Sequence, residues 1–471
     1  MFYYGITHIL ILYLTYSLFG FIYGTIFLIT AINLIDHLLL KKGYLRLNYG
    51  DLCMSLELPN VNHNVGGYMV MDKISFEEFR DHIFERGVKH VLKLRSKLVH
   101  KFGFALWEDQ GEEAGRQQIF KCEQKVRSPK DLTKLAEKIV NGAMDFEKPL
   151  WELHLVEDYS ETESAMMLKF HHACADGGGI VGFFSAMNDK DKRLEVSKKF
   201  PSPPLLINAI CTIIGPLYSV YLLTKKLNLS TDPKAAQISD LTKKDSNYCN
   251  FYEAEKSFDF PQIKKCFKRF KEKTSFNDYI MGVLGVNLDK WYKEHGIEGA
   301  ERIKTINSIN MRGLPESMKD VNLFNESIGS HFELPIIPDL DQAIKIARRN
   351  FKTDLDFFSL FCIKRFSDIF PYLPEVILRL FMATFYHGAG MIFSNVPFSS
   401  KPWYIANKTC NKIGVFGTPH QNVKFFFVVS TYREKLYLSA IANEGLKMNP
   451  QRLLDLVQEY LEKEIKEFVK D

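Results

Sequence analysis

His171-His172-Ala173-Cys174-Ala175-Asp176-Gly177-Gly178-Gly179 is the stretch on which the reading of this chain turns. The run before it, Ala165 to Phe170, has strand character, and Ile180 to Met187 after it reads as an apolar helix. Two strand-end histidines, an aspartate four positions after the second and consecutive glycines can hold a neutral imidazole that accepts a proton near physiological pH. Successive side chains on an extended backbone point to opposite faces, so His172 is taken as the base and His171 as its support. The base needs its second ring nitrogen fixed, and backbone just past the strand can supply that bond. Asp176 is too close in sequence to relay charge, and is expected to turn away and pair with a buried cation. Gly177 to Gly179 permit positive φ and close substrate approach. Cys174 reads as a small apolar residue rather than a nucleophile. The chemistry this string fits is acyl transfer to an alcohol or amine; the plainer reading is an ordinary Asp-Gly turn beside two histidines.

Other segments stand around the string in a fixed order. Upstream lies Asp145-Phe146-Glu147-Lys148-Pro149-Leu150-Trp151-Glu152. Downstream come Thr274-Ser275-Phe276-Asn277-Asp278, Ile309-Asn310-Met311-Arg312-Gly313, Phe324-Asn325-Glu326-Ser327 and Ser394-Asn395-Val396-Pro397. Together these make residues 52 to 471 resemble the HHxxxDG acyltransferases, and among them the wax ester synthase/acyl-CoA:diacylglycerol acyltransferase family. The chain departs from that pattern with Phe324 in place of a glycine and Phe398-Ser399 in place of Gly-Pro. The single-histidine plant alcohol acyltransferases fit less well, since no Asp-Phe-Gly-Trp-Gly-like element is present.

The resemblance implies an α/β architecture of two chloramphenicol-acetyltransferase-like halves with a tunnel between them. The N-terminal half spans residues 44–190, a linker 191–250 and the C-terminal half 251–471. It also implies acyl-CoA as co-substrate, a lipid alcohol (a fatty alcohol or a diacylglycerol) as acceptor, and neither cofactor nor metal. His172 is then the general base, and Asn277 the first candidate to stabilise the developing oxyanion. A helix N-cap is the competing role for Asn277. Arg312 becomes the expected partner of Asp176, with Gly177, Asn325, Ser394 and Asn395 shaping the site. Two other readings stay open: a catalytically inactive lipid-binding or scaffold protein, and peptide-bond formation on carrier proteins.

Composition narrows the classes. The 471 residues are 46% hydrophobic and 13% aromatic, enough for large cores. A net charge of +5 with interspersed signs gives no support to nucleic-acid binding. The eight cysteines form no CxxC pair, which argues against a zinc site and fits a reducing compartment. From Ile9 to Ile35 no residue is charged, and Lys41, Lys42 and Arg46 follow. That pattern predicts an uncleaved single-pass membrane anchor within residues 1–43, with the catalytic part cytosolic and the endoplasmic reticulum as the default membrane. Gly20 and Gly24 form a GxxxG that could pair two anchors in a homodimer. A second apolar stretch, 200–224, is broken by prolines and reads as interfacial or re-entrant. Residues 74–100 and 131–142 read as amphipathic helices, and 375–386 as a buried or interfacial helix. Lys264, Lys265, Lys268 and Arg269 could meet an anionic headgroup or a CoA phosphate.

Overall fold

Glu163–His171, the strand that ends at the histidines, is buried at every position after the first, as befits a strand at the middle of a sheet. It pairs antiparallel with Trp151–Val156 on one side and Asn64–Asp72 on the other. The computed structural model describes residues 30–56, 63–101, 103–189, 204–238, 248–270, 273–354, 357–368, 371, 373–419 and 423–469, with scattered positions between 13 and 27. Beyond Asn64–Asp72 the sheet is continued by Lys408–Gly417, a strand from far along the chain. The N-terminal half is therefore completed by C-terminal sequence.

A second sheet holds seven strands, with Arg302–Asn310, Met391–Pro397, Phe425–Tyr432 and Lys435–Asn443 at its centre. Helices Phe276–Glu294 and Pro450–Phe468 supply Leu284, Trp291, Leu453 and Val457 to the core on one of its faces. Arg302–Asn310 runs parallel to Met391–Pro397 only from Thr305 to Asn307, opposite Met391 to Phe393. Past that point Arg302–Asn310 stays with Ser327–Pro335, while Met391–Pro397 stays with Phe425–Tyr432. The sheet forks there, and the fork opens toward the histidine loop. The halves are also tied by Tyr68, whose hydroxyl reaches the Glu253 carboxylate at 2.8 Å, and by Thr133 Oγ1, which donates to the same carboxylate at 2.6 Å.

Local departures from the sequence reading have identifiable causes. Residues 74–100 are not one helix. Phe76–Arg86 is helical, capped by Ser75, but Gly87 closes it; two short 3₁₀ turns and the strand Ser96–Lys101 follow. Pro129–Asn141 starts at a Ser128 cap with proline at its first position. Leu205–Leu227 is one helix that runs through Gly215 and Pro216, and it packs on Phe357–Ser367 through Cys211 and Cys362.

The membrane anchor is corrected. Among the described residues no helix is long and apolar enough to cross a membrane. The uncharged run from Ile9 lies mostly outside the described residues, as does Gly24, so the Gly20–Gly24 pairing lies outside them too. The single-pass integral assignment, and with it the cytosolic and endoplasmic-reticulum placement, is withdrawn. An uncharged run satisfies a length criterion, but length alone does not distinguish a crossing from apolar sequence used otherwise.

The contact between Tyr68 and the Lys408–Gly417 strand is tight. A Cβ on Gly414 would lie 2.3 Å from Tyr68 Cε1 and 2.8 Å from Glu253 Oε1. Gly414→Ala is therefore expected to destabilise the fold by about 1–3 kcal/mol, read as a lower denaturant midpoint, because an aromatic ring wedged between sheets cannot retreat.

Candidate functional site

The strand end, the glycine helix and a loop from the second half converge on Asp176. Asp176 is the N-cap of Gly177–Ala186, accepting from the Gly179 amide at 2.8 Å. Arg312 grips the same carboxylate with both terminal nitrogens, at 2.7 and 2.8 Å. The amides of Glu326 and Ser327 and the Ser327 hydroxyl complete the shell at 2.9–3.1 Å. Burial alone would raise this carboxyl, but Arg312, the Gly179 amide and the other donors together bring it below its ordinary range.

The three glycines have negative φ, so left-handed backbone is not why they are there. Their use is close approach. A Cβ on Gly178 would sit 2.9 Å from the Asn310 amide, and one on Gly179 2.9 Å from Arg312 Nη1. Gly177 faces open space, with nothing within 4 Å of an added Cβ.

His172 takes its orientation from a side chain of the other half, not from strand-end backbone. Its Nδ1 lies 2.8 Å from Asn325 Oδ1. Asn325 Nδ2 donates to Asp51 Oδ1 and to the His172 carbonyl, both at 2.7 Å, which fixes which way the amide points. Oδ1 must then accept from Nδ1–H, leaving the Nε2 lone pair as the basic edge. Behind Asn325, Asp51 receives Lys93 Nζ at 2.6 Å and the Trp107 indole at 3.3 Å. Burial drives the His172 pKa down from 6.5, against the opposing pull of Asp176 and Asn325. His171 is fully enclosed, edge-on to Phe146 and stacked on His63, and burial lowers its pKa further. Cys174 is buried with its thiol pushed up to about 12, and is inert as a nucleophile.

One cavity of about 840 Å³ runs past this site. His172, Gly177, Asn277, Arg312, Asn325, Ser394 and Asn395 all line it. Asn277 is not the helix cap: Ser275 caps Phe276–Glu294 in a capping box with Asp278. Instead Asn277 Oδ1 accepts from Asn395 Nδ2 at 2.7 Å. Its own NH₂ is thereby turned away from Asn395. Of the departures from the family pattern, Phe398 lines the cavity and packs on Trp403, whereas Phe324 covers Lys93 at 4.7 Å. Arg269 is bound to Glu464 and is not a free cation for a phosphate. Sequence reasoning did not find Asp51 and Lys93, because their partners lie in distant segments and neither sits in a recognisable pattern.

The buried imidazoles make stability pH-dependent with a definite sign. His63 is held down to about 4 by burial, and His171 and His172 are also lowered, whereas an unfolded imidazole titrates near 6.5. The unfolded chain binds more protons between those values, so stability falls as pH drops through that window. His63 alone accounts for about 2 kcal/mol between pH 6.5 and 5. Urea midpoints measured across that range should shift accordingly; a constant midpoint would contradict the burial of these rings.

Comparison with known proteins follows the same lines. The wax ester synthase/diacylglycerol acyltransferase catalytic domain matches residues 125–208, and the C-terminal domain of that family matches 328–465. A Mycobacterium bovis protein carrying a diacylglycerol O-acyltransferase name is 35% identical over 74 residues, 16% of this chain and 17% of its own length. Wax ester synthase/diacylglycerol acyltransferase 3 of Arabidopsis thaliana is 41% identical over 54 residues, 11% of each chain. The aligned stretches thus span only a small part of these relatives. In structure, the wax ester synthase/diacylglycerol acyltransferase of Marinobacter aquaeolei VT8 superposes with a TM-score of 0.60 at 15% identity, covering 89% of this chain and 98% of that one. The starter condensation domain of rhizomide synthetase, solved with C8-CoA and Leu-SNAC, gives 0.57 at 12% identity, covering 92% and 96%. These likenesses show a shared two-domain α/β fold. Both domain models of the wax ester synthase/diacylglycerol acyltransferase family match this chain in order along that fold, and this is the family it resembles.

Proposed function

We propose that the chain is an acyl-CoA-dependent O-acyltransferase that moves a fatty acyl group to a lipid alcohol, with His172 as general base. The observation that carries this reading is the His172 ring, pinned through Nδ1 by Asn325 and bordering a cavity of about 840 Å³. That volume lies within the usual size of small-ligand sites. The names of the mycobacterial and plant relatives support acyl transfer, and the C8-CoA in the rhizomide condensation domain supports a CoA thioester as donor.

In this reading Nε2 removes the acceptor hydroxyl proton as its oxygen attacks the thioester carbonyl. The tetrahedral oxyanion takes a hydrogen bond from Asn277 Nδ2, which its bond to Asn395 aims away from that partner. Collapse breaks the C–S bond, and the departing CoA sulfur takes the proton back from Nε2, leaving as the thiol and restoring the neutral imidazole. Asp176 and Arg312 shape the loop without touching substrate, and His171 packs behind it. A pinned imidazole on an open cavity has no use in a scaffold, so the inactive reading is set aside.

Acceptor entry from a lipid surface is supported by two helices. Leu206, Leu217 and Val220 on one, and Val376 and Leu380 on the other, are exposed. The same helices line the cavity with Leu222 and Lys226, and with Phe381 and Met382.

With purified protein, long-chain acyl-CoA and a panel of alcohols, His172→Ala should lower turnover by about 10²- to 10⁴-fold. Turnover within twofold of wild type would remove His172 from the mechanism. Because its pKa is lowered, the acidic limb of kcat/KM against pH should lie below 6.5, with activity rising as pH increases through it. Asn325→Ala should lower kcat while leaving the KM for acyl-CoA nearly unchanged, since Asn325 acts through the ring.

A further inference from the structure

We propose that Asn307, with Ser219, Lys226 and Ser330, forms a second polar site in the cavity that receives an ester carbonyl of the acceptor, away from the hydroxyl that reacts. The proposal rests on the acyl-transfer reading and deepens it: the acceptor class becomes an ester-bearing lipid alcohol of the diacylglycerol type rather than a plain alkanol.

Asn307 is only 4% exposed, yet neither its amide oxygen nor its amide nitrogen has a hydrogen-bond partner among the described residues. Buried amides are ordinarily paired, and one left without partners at a cavity wall calls for a ligand group to pair it. Its position explains the vacancy on its flank: Asn307 is the last residue of its strand paired to Met391–Pro397, where the sheet forks. On the other side it stands directly opposite Ser330, so the two side chains share a face. Ser330 Oγ accepts from Lys226 Nζ at 2.7 Å, and Lys226 also donates to the His331 carbonyl at 3.1 Å. Seven residues before Lys226, two helical turns along the same stripe, Ser219 has a buried hydroxyl without a partner among the described residues. All four residues line the cavity that His172 borders.

The chemistry selects the occupant. An amide NH₂, an ammonium and hydroxyls form a donor-rich spot that suits a carbonyl oxygen. Leu222, Leu223, Ile363 and Phe366 wall the cavity beside it, as an ester between alkyl chains requires. Asn310 abuts Gly178 of the histidine loop, and Asn307 lies three residues back along the same strand, away from that loop. A plain fatty alcohol has no oxygen besides its hydroxyl to offer there. The pantetheine arm of the donor does carry amide carbonyls, so the experiment must separate the two sources.

The test is Asn307→Leu, which keeps the branched side-chain shape and removes both polar atoms, assayed with one acyl-CoA against dioleoylglycerol and hexadecanol. The ratio of kcat/KM for dioleoylglycerol over hexadecanol should fall tenfold or more, through KM for dioleoylglycerol, and the melting temperature should not drop. Ser219→Ala should move the ratio the same way by a smaller factor, and serves if the leucine variant fails to fold. An unchanged ratio overturns the proposal. So does an equal loss with both acceptors together with a raised KM for acyl-CoA, which would assign the spot to the donor. If wild type turns over neither acceptor, the acyl-transfer reading fails by itself. Dioleoylglycerol binding, followed by tryptophan fluorescence, then decides the site: weaker binding in Asn307→Leu upholds it, and equal binding overturns it.

Discussion

The Asp176 carboxylate accepts hydrogen bonds from an arginine, three backbone amides and a hydroxyl while being only 2% exposed. An anion that deep is tolerable only with its charge matched and its lone pairs filled; Arg312, Glu326 and Ser327 of the other half do this together with the Gly179 amide of its own helix. The consequence is geometric. Arg312, Glu326 and Ser327 bracket the loop that carries Asn325, so holding their donors on Asp176 draws Asn325 up to His172. The motif aspartate therefore governs the orientation of the His172 ring at one remove, through the loop it secures. Losing either member of such a buried pair leaves the other charge stranded, which typically costs about 3–5 kcal/mol.

A second chain of contacts begins where the first ends. Asn325 is locked by Asp51, and Asp51 by Lys93 and Trp107, all of them buried. Burial pushes the Asp51 carboxyl up, while Lys93 and Asn325 oppose that push. Each link fixes the rotamer of the next, so the imidazole ring plane is set by packing two residues away from it. Such support is what lets a neutral imidazole keep one tautomer beside an open cavity.

The parts of this arrangement legible in sequence are those that are local. The strand, the nine-residue string and the glycine-rich helix are contiguous, so their order alone defines a strand-end site. Asp51 and Asn325 are 274 residues apart, and Asp51 and Lys93 are 42 apart; no periodicity links them. The Lys408–Gly417 strand is equally hidden, because its pattern says that it is a strand but not which sheet takes it. Gly177 to Gly179 were read for backbone freedom, whereas the structure uses two of them for side-chain clearance. The N-terminal run shows the opposite error: a strong local signal, uncharged length, taken to mean more than it can carry.

The fork in the second sheet ties the cavity to the chemistry. Parallel pairing between Arg302–Asn310 and Met391–Pro397 stops after three residue pairs, and each strand keeps its other neighbour. Neither strand is left with a wholly unpaired edge, so the split costs only the few ladder bonds lost between them. What it yields is space that a continuous sheet would fill, reached from the histidine loop at one end and from the helix carrying Lys226 at the other. Of the polar residues at the fork, Asn307 is the last of its strand to pair across it, and Asn395 lies just beyond on the other strand. Asn395 finds a partner in Asn277, while Asn307 keeps its amide for whatever enters. Opening the sheet thus creates the cavity and sets Asn307 in its wall in the same step, which is why shape and selectivity in this site arise from a single feature of the backbone.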